Sequence, residues 1–470
     1  VEAPALTELV GASAPRVTML SWMLGSSFAA LAGILLAPFT GLDAVLLTLL
    51  VIQAFGAAAI GRLTSLPGAY VGGLVIGVGA ALATKLVAGR PALAGLPSSL
   101  PFIVLFAVLV LSRKGAFSEV TGESRAAGRA MPRLRGAGRP GARSFPLRAV
   151  LLATAGAVLL PFVLNNARLV TATTTLVFVL ILASLGLLVG TARMVSLSHV
   201  AFVALGATVL ARLLEAGVPY VAALVLAGLL VVPAGALVAI PAIRLSGLFL
   251  ALATFGFAIL AQTLLFPTEW GFGADSTVAL PRPGGFQSET AFYYLVLAVV
   301  VAGIVAIEAV RVTRLGRMLR ALADSPTAVE SIGLKPTVSL VLLFCLCAFL
   351  AAVAGGLLGS ITQLITPSGF DFTQSLIWLA VLVTAGASTF GGSVLAAVFL
   401  VAIPAVAESP VVTEYFPVVF GVAAILLAQA RNGLVGLLAP PDFAALAQRD
   451  QWRLARSRHA ARLRLARDAA

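Results

Sequence analysis

The chain has 470 residues, 60% of them hydrophobic and 10% charged, with a mean hydropathy of +1.08 and a formal net charge of +13. A water-soluble domain of this size has no way to hide so much apolar surface, because its outside must be wetted. The basic residues gather in a few polar segments, as on the cytosolic side of a membrane protein, so the charge does not point to nucleic acid.

The apolar runs are continuous rather than alternating, which favours helices over a barrel. At about 20 residues per span, they predict an all-α integral membrane protein, a polytopic bundle of about fourteen spans. The chain opens on a polar loop, Val1 to Arg16, without an initiator Met, and is expected to lack its natural beginning. Residues 1–112 then carry four candidate spans, near Val17–Pro38, Leu42–Ile60, Pro67–Leu86 and Leu100–Leu111. Residues 113–148 are rich in Arg, Gly, Ala, Ser and Pro and read as a flexible basic linker on the cytosolic surface.

Residues 149–440 carry ten candidates. They lie near Ala149–Val163, Leu169–Val189, Val195–Leu214, Val218–Ile240, Gly247–Leu265, Ala291–Ile307, Val338–Ile361, Ser375–Gly386, Ser393–Val406 and Phe416–Leu427. The tail, residues 441–470, is again arginine-rich and is expected in the cytosol or along anionic headgroups. Six spans separate the linker from the Val310–Thr337 loop, and four separate that loop from the tail. Both numbers are even, so all three basic segments fit on one side. Lys85, Arg90, Arg168, Arg212 and Arg282 fall on the other side as exceptions.

The strongest internal signal is a duplication. At an offset of 322, Glu8 meets Glu330, Gly11 meets Gly333, and Ser26–Leu36 lies on Ala348–Leu358. At an offset of 324, Thr64–Gly73 lies on Ser388–Ala397. Each half thus has a polar loop, a span rich in small residues and a glycine-rich turn. The spans between the copies are even in number, so the repeat is parallel, about an axis along the membrane normal. The first half is short and is expected to lack the spans that precede its loop.

No enzyme constellation stands out. The two histidines, His199 and His459, are far apart, and there is no metal-ligand spacing and no phosphate loop, so no metal or cofactor is expected and this chain does not itself hydrolyse ATP. The cysteines, Cys345 and Cys347, are two apart in one apolar run and cannot form an ordinary structural disulfide. The acidic residues fall in loops or, like Asp43 and Glu308, at span ends. Ion-coupled carriers commonly need a buried carboxylate, so the driving energy is expected from another subunit. Two equivalent loops on one face would suit two ATPase subunits; in the second, Arg311, Arg314, Arg317 and Arg320 precede Asp324 and Ser325. Candidates for the solute path are the polar groups within spans: Ser196, Ser198 and His199 at the head of one, Thr254 and Gln262 eight apart on one face of another, and Ser388 in the glycine-rich turn.

Several segments resemble known sequences. Met194–Ala207 (MVSLSHVAFVALGA), Ile243–Leu260, Arg317–Leu334 (RMLRALADSPTAVESIGL) and Thr384–Ala397 (TAGASTFGGSVLAA) resemble, in order and spacing, landmarks of one of the two branched-chain amino acid ABC permeases. Residues 1–112, best over Ile60–Gly77, resemble the C-terminal part of the sister permease, so the two are expected to be fused through the basic linker. The resemblance implies a bacterial inner-membrane importer, with ABC ATPase subunits, an extracytoplasmic solute-binding protein and a further permease chain as partners. It also implies that Glu8 and Gly11, and Glu330 and Gly333, belong to two ATPase-coupling helices. Arg62, Thr64 and Ser388 stand where the family has glycines. The family also handles amides and urea. An ion-coupled secondary transporter, or a membrane scaffold derived from a permease, stays open as an alternative.

Overall fold

A computed structural model describes residues 13–41, 44–62, 65–89, 95–111, 147–243, 245, 247–268, 270–272, 277–324, 329 and 336–406. The first part forms α1 (Ala14–Thr40), α2 (Ala44–Ile60), α3 (Leu66–Val87) and α4 (Leu96–Leu111). The second forms α5 (Leu147–Val163), α6 (Asn166–Leu187), α7 (His199–Glu215), α8 (Tyr220–Ala242) and α9 (Leu248–Leu260). It continues with α10 (Glu289–Val312), α11 (Arg314–Asp324), α12 (Pro336–Thr362), α13 (Thr373–Ala385) and α14 (Phe390–Ala397). Single π turns prolong α6 (Leu188–Ala192), α9 (Ala261–Leu265) and α14 (Val398–Ala402). Among the described residues six helices are long and apolar enough to cross a membrane, with five shorter apolar helices beside them. The expected span near Phe416–Leu427, the tail and residues 113–146 of the expected linker lie outside the described residues, and the linker's last two residues, Leu147 and Arg148, begin α5 instead.

The core forms around α12, which packs against α7, α8 and α6. Between apolar helices in lipid there is little hydrophobic gain, so close backbone contact must supply the attraction. Small residues permit it: Ala348, Ala351, Ala352 and Ala354 of α12 are fully buried. A side chain at Gly355 would strike the backbone of Val203 in α7, and one at Gly206 the backbone of Ala352. On the other side of α6 lie α10 and α14. The proline break in α5 is answered from α10. Pro161 in α5 has no N–H for the Ala157 carbonyl, and the Tyr293 hydroxyl of α10 donates to that carbonyl at 2.7 Å. At one end of the bundle β1 (Val278–Ala279) pairs antiparallel with β2 (Leu364–Ile365), register Val278 to Ile365. The first part joins the second through α4 and α9, where Ser99 Oγ lies 2.7 Å from Thr263 Oγ1.

The duplication is visible in the backbone. Helices α1 and α12 are both 27 residues long and begin at Ala14 and Pro336, the offset at which the sequences align. Helices α3 and α14 begin at Leu66 and Phe390, the second offset, and share one cap. Ser65 Oγ accepts from Gly68 N at 3.1 Å, and Thr389 Oγ1 from Gly392 N at 3.0 Å. The turn before each cap needs a positive φ, taken by Arg62 (54°) in the first copy and Gly386 (120°) in the second. The copies differ in burial. The apolar window of α12 is 67% buried, whereas that of α1 is 0% buried.

Candidate functional site

Helix α6 with its π turn runs 27 residues, about 40 Å at the helical rise. The chain then turns at Arg193, whose φ of 54° is left-handed, and residues 193–198 re-enter the bundle without helical structure. Helix α7, which returns to the far end, has only 17 residues and covers about 25 Å. Its first turn therefore lies inside the bundle. A second distance agrees: Val200 N donates to Ser375 Oγ at 3.3 Å, and Ser375 stands ten residues, about 15 Å, from the near end of α13 at Ala385.

Irregular backbone at this depth is tolerated only where protein covers it. Leu197 N donates to Thr254 Oγ1 at 2.9 Å, and Thr254 donates on to the Ala251 carbonyl of α9. Ser196 and Ser198 hydroxyls pair at 3.0 Å. Ser196, Ser198, His199, Thr254 and Ser375 are each no more than 1% exposed. Both ring nitrogens of His199 lack a hydrogen-bond partner. Its ring lies beside Phe202, which in turn touches Phe257 of α9. Ser393 Oγ, buried where α14 faces Gly186 of α6, is unpaired as well. Among the described residues no three His, Cys, Asp or Glu side chains gather. The chemistry on offer is that of hydroxyls, one imidazole and a helix terminus.

Four of the sequence candidates, Ser196, Ser198, His199 and Thr254, thus come together. Gln262 does not join them. It sits further along α9 in the π turn, where Oε1 accepts from Phe372 N at 2.9 Å and Nε2 donates to Asp371 Oδ2 at 3.3 Å, joining α9 to the head of α13. Ser388 is half-buried in the turn before α14, against Gly190 in the π turn of α6. Ser375 was not among the sequence candidates; its place in the first turn of a span, just after Asp371 and Thr373, was the available sign.

The opposite feature is α11, a short amphipathic helix at the end of the bundle where α6 and α10 finish. Leu319 is fully buried, while Arg314 and Arg317 are exposed. Arg320 donates to the Arg311 carbonyl at 2.8 Å and Arg317 to the Val312 carbonyl at 2.9 Å. Both satisfy orphan carbonyls at the C-terminus of α10 and place positive charge at its negative dipole end. Arg311 forms a buried 2.5 Å pair with Glu308 one turn earlier. Asp324 closes α11. Ser325, Glu330 and Gly333, and Glu8 and Gly11 in the first copy, lie outside the described residues.

Known proteins match both parts. The branched-chain amino acid transport permease LivM of Salmonella typhimurium is 30% identical over 274 residues, covering 52% of this chain and 64% of the relative. LivM of Escherichia coli is 29% identical over the same length and shares. LivH of Salmonella typhimurium is 35% identical over 107 residues, 23% of this chain and 32% of the relative. The chain spans less than two thirds of the length of these curated relatives. No solved structure matches it. The family model for the permease component of branched-chain amino acid transport systems matches residues 2–112 and 169–428, and by that match the chain belongs to this permease family.

Proposed function

We propose that the chain is the membrane permease of a bacterial ABC importer for branched-chain amino acids or related small polar solutes such as amides and urea. Separate ATPase subunits hydrolyse the ATP, and an extracytoplasmic solute-binding protein delivers the solute at the face opposite α11. The observation that carries the reading is the covered break before α7, at residues 193–198. Among the described residues Glu308 is the buried acidic side chain, and it is neutralised by Arg311 at the end of its helix. The driving energy comes from an external motor, the ATPase subunits. Helix α11, ending at Asp324, and the residues Ser325, Glu330 and Gly333 that follow it in sequence would be where the motor docks, with Glu8 and Gly11 as their equivalents in the first copy. A further permease chain would cover α1, whose counterpart α12 is buried on all sides that α7, α8 and α6 provide.

The experiment is a cysteine at Arg317, on the exposed face of α11, crosslinked in native membranes and analysed by mass spectrometry. The expected product is an adduct with an ABC ATPase. Recovery of the chain with no ATPase attached, by crosslink or by co-purification, would remove the importer reading.

A further inference from the structure

We propose that the first turn of α7 is the seat for the carboxylate of the transported solute, with the His199 imidazole as the donor that closes over it. The proposal rests on the transport reading above and narrows it to solutes that carry a carboxylate.

Two independent observations converge. The first is the helix terminus. The free N–H groups at the start of a helix carry a partial positive charge and form a ready site for an anion. In membrane carriers, spans that begin inside the bilayer direct such termini at the anionic group of the solute. Helix α7 begins inside the bundle, and it is long enough, at 17 residues, for its dipole to count.

The second is His199 itself. It is the first residue of that helix, it is 1% exposed, and neither ring nitrogen has a partner. A neutral imidazole has one donor and one acceptor, and leaving both buried and unmade is costly. Buried polar groups without partners are rare enough in folded proteins to need a reason. The neighbouring groups are already committed to structure: Thr254 holds Leu197 N, Ser375 holds Val200 N, and Ser196 and Ser198 hold each other. His199 is the group in this cluster that structure does not use.

The chemistry of the cluster selects the ligand. It holds donors and a positive helix end, and no acidic side chain among its members, so it favours an anion over a cation or a neutral amide. Phe202, in edge contact with the imidazole, and Phe257 beyond it give an apolar wall suited to a branched hydrocarbon side chain. In this structure the seat is shut; solute reaches it when the ends of α7, α9 and α13 part.

The chain has two histidines, His199 and His459, which makes a direct readout practical. The full chain is labelled with ¹⁵N-histidine and examined by solid-state NMR in lipid bilayers, and His199→Gln identifies the resonance. L-leucine and isovalerate, which share a carboxylate, are expected to shift the His199 ring nitrogens, and L-leucinamide is not. A resonance unmoved by leucine, or moved equally by leucinamide, overturns the seat. In uptake assays His199→Leu, which leaves no donor, is expected to raise the leucine KM by about tenfold or more, the loss of one hydrogen bond to a charged group. Wild-type KM retained in that variant overturns it too. The binding readout needs neither ATP nor partners, so the two readings fail separately. ATP-driven leucine uptake with a silent His199 sinks the seat alone. A shift specific to carboxylates in a chain that takes nothing up upholds the seat and sinks the importer.

Discussion

Gly355→Ala is expected to destabilise the bundle by about 3 kcal/mol or more, the upper range for overpacking a core. A methyl at this position would meet the Val203 backbone of α7, and the partner contact at Gly206 brings the Ala352 backbone just as close. Backbone does not step aside as a side-chain end does, so α7 and α12 must separate along their whole crossing. Helix propensity acts in the opposite direction, since Ala is better than Gly in a helix by up to about 1 kcal/mol; the sign of the result therefore isolates packing. The repeat supplies the control. Gly33 occupies the equivalent position of α1, and nothing lies within 4 Å of a methyl placed there. Gly33→Ala should leave the stability of the isolated chain unchanged or slightly raised. Thermal unfolding in detergent, followed by intrinsic fluorescence, reads both variants. Equal stability of Gly355→Ala and the parent would contradict the packing described for α12.

Glu308→Ala is expected to cost about 3–5 kcal/mol, the range for stripping one partner from a buried ion pair. The side chains of Arg311 and Glu308 are 13% and 7% exposed, so the orphaned guanidinium would have little water to turn to. The damage should spread to α11, because Arg320 is held by the carbonyl of the same Arg311. The double variant Glu308→Leu with Arg311→Met should recover most of the loss, since no buried charge is left unpaired. Limited proteolysis at the α11 end of the bundle, alongside the unfolding curve, checks both. A Glu308→Ala chain that unfolds with the parent would show that the pair contributes nothing.

Much of the architecture was legible because it is written in local pattern. The long apolar runs announced the helices, and the two offsets announced the duplication. The structure carries both offsets into helix starts and adds a shared cap, Ser65 in the first copy and Thr389 in the second, each a hydroxyl that accepts from the N–H three residues on. What pattern did not show is set by contacts distant in sequence. The span expected from Val195 begins as helix only at His199, because Leu197 N is taken by Thr254 of α9, 57 residues away. Thr254 and Gln262 share a helix face by spacing, yet one holds the break before α7 and the other holds Asp371 and Phe372. Ser375 gains its role from Val200, 175 residues away in the chain. Nor does sequence separate α1 from α12. Their small residues align, and the burial of α12 comes from α6, α7 and α8, which pack on it.

The most direct test of the account is uptake of radiolabelled leucine into proteoliposomes that hold the chain with its co-purified membrane partners and the solute-binding protein. Uptake is measured with and without ATP on the side of α11, and again after ionophores have collapsed every ion gradient. Uptake is expected to require ATP and to survive the ionophores. Uptake that follows an ion gradient and ignores ATP would contradict it, and would make the chain a secondary carrier on a permease fold.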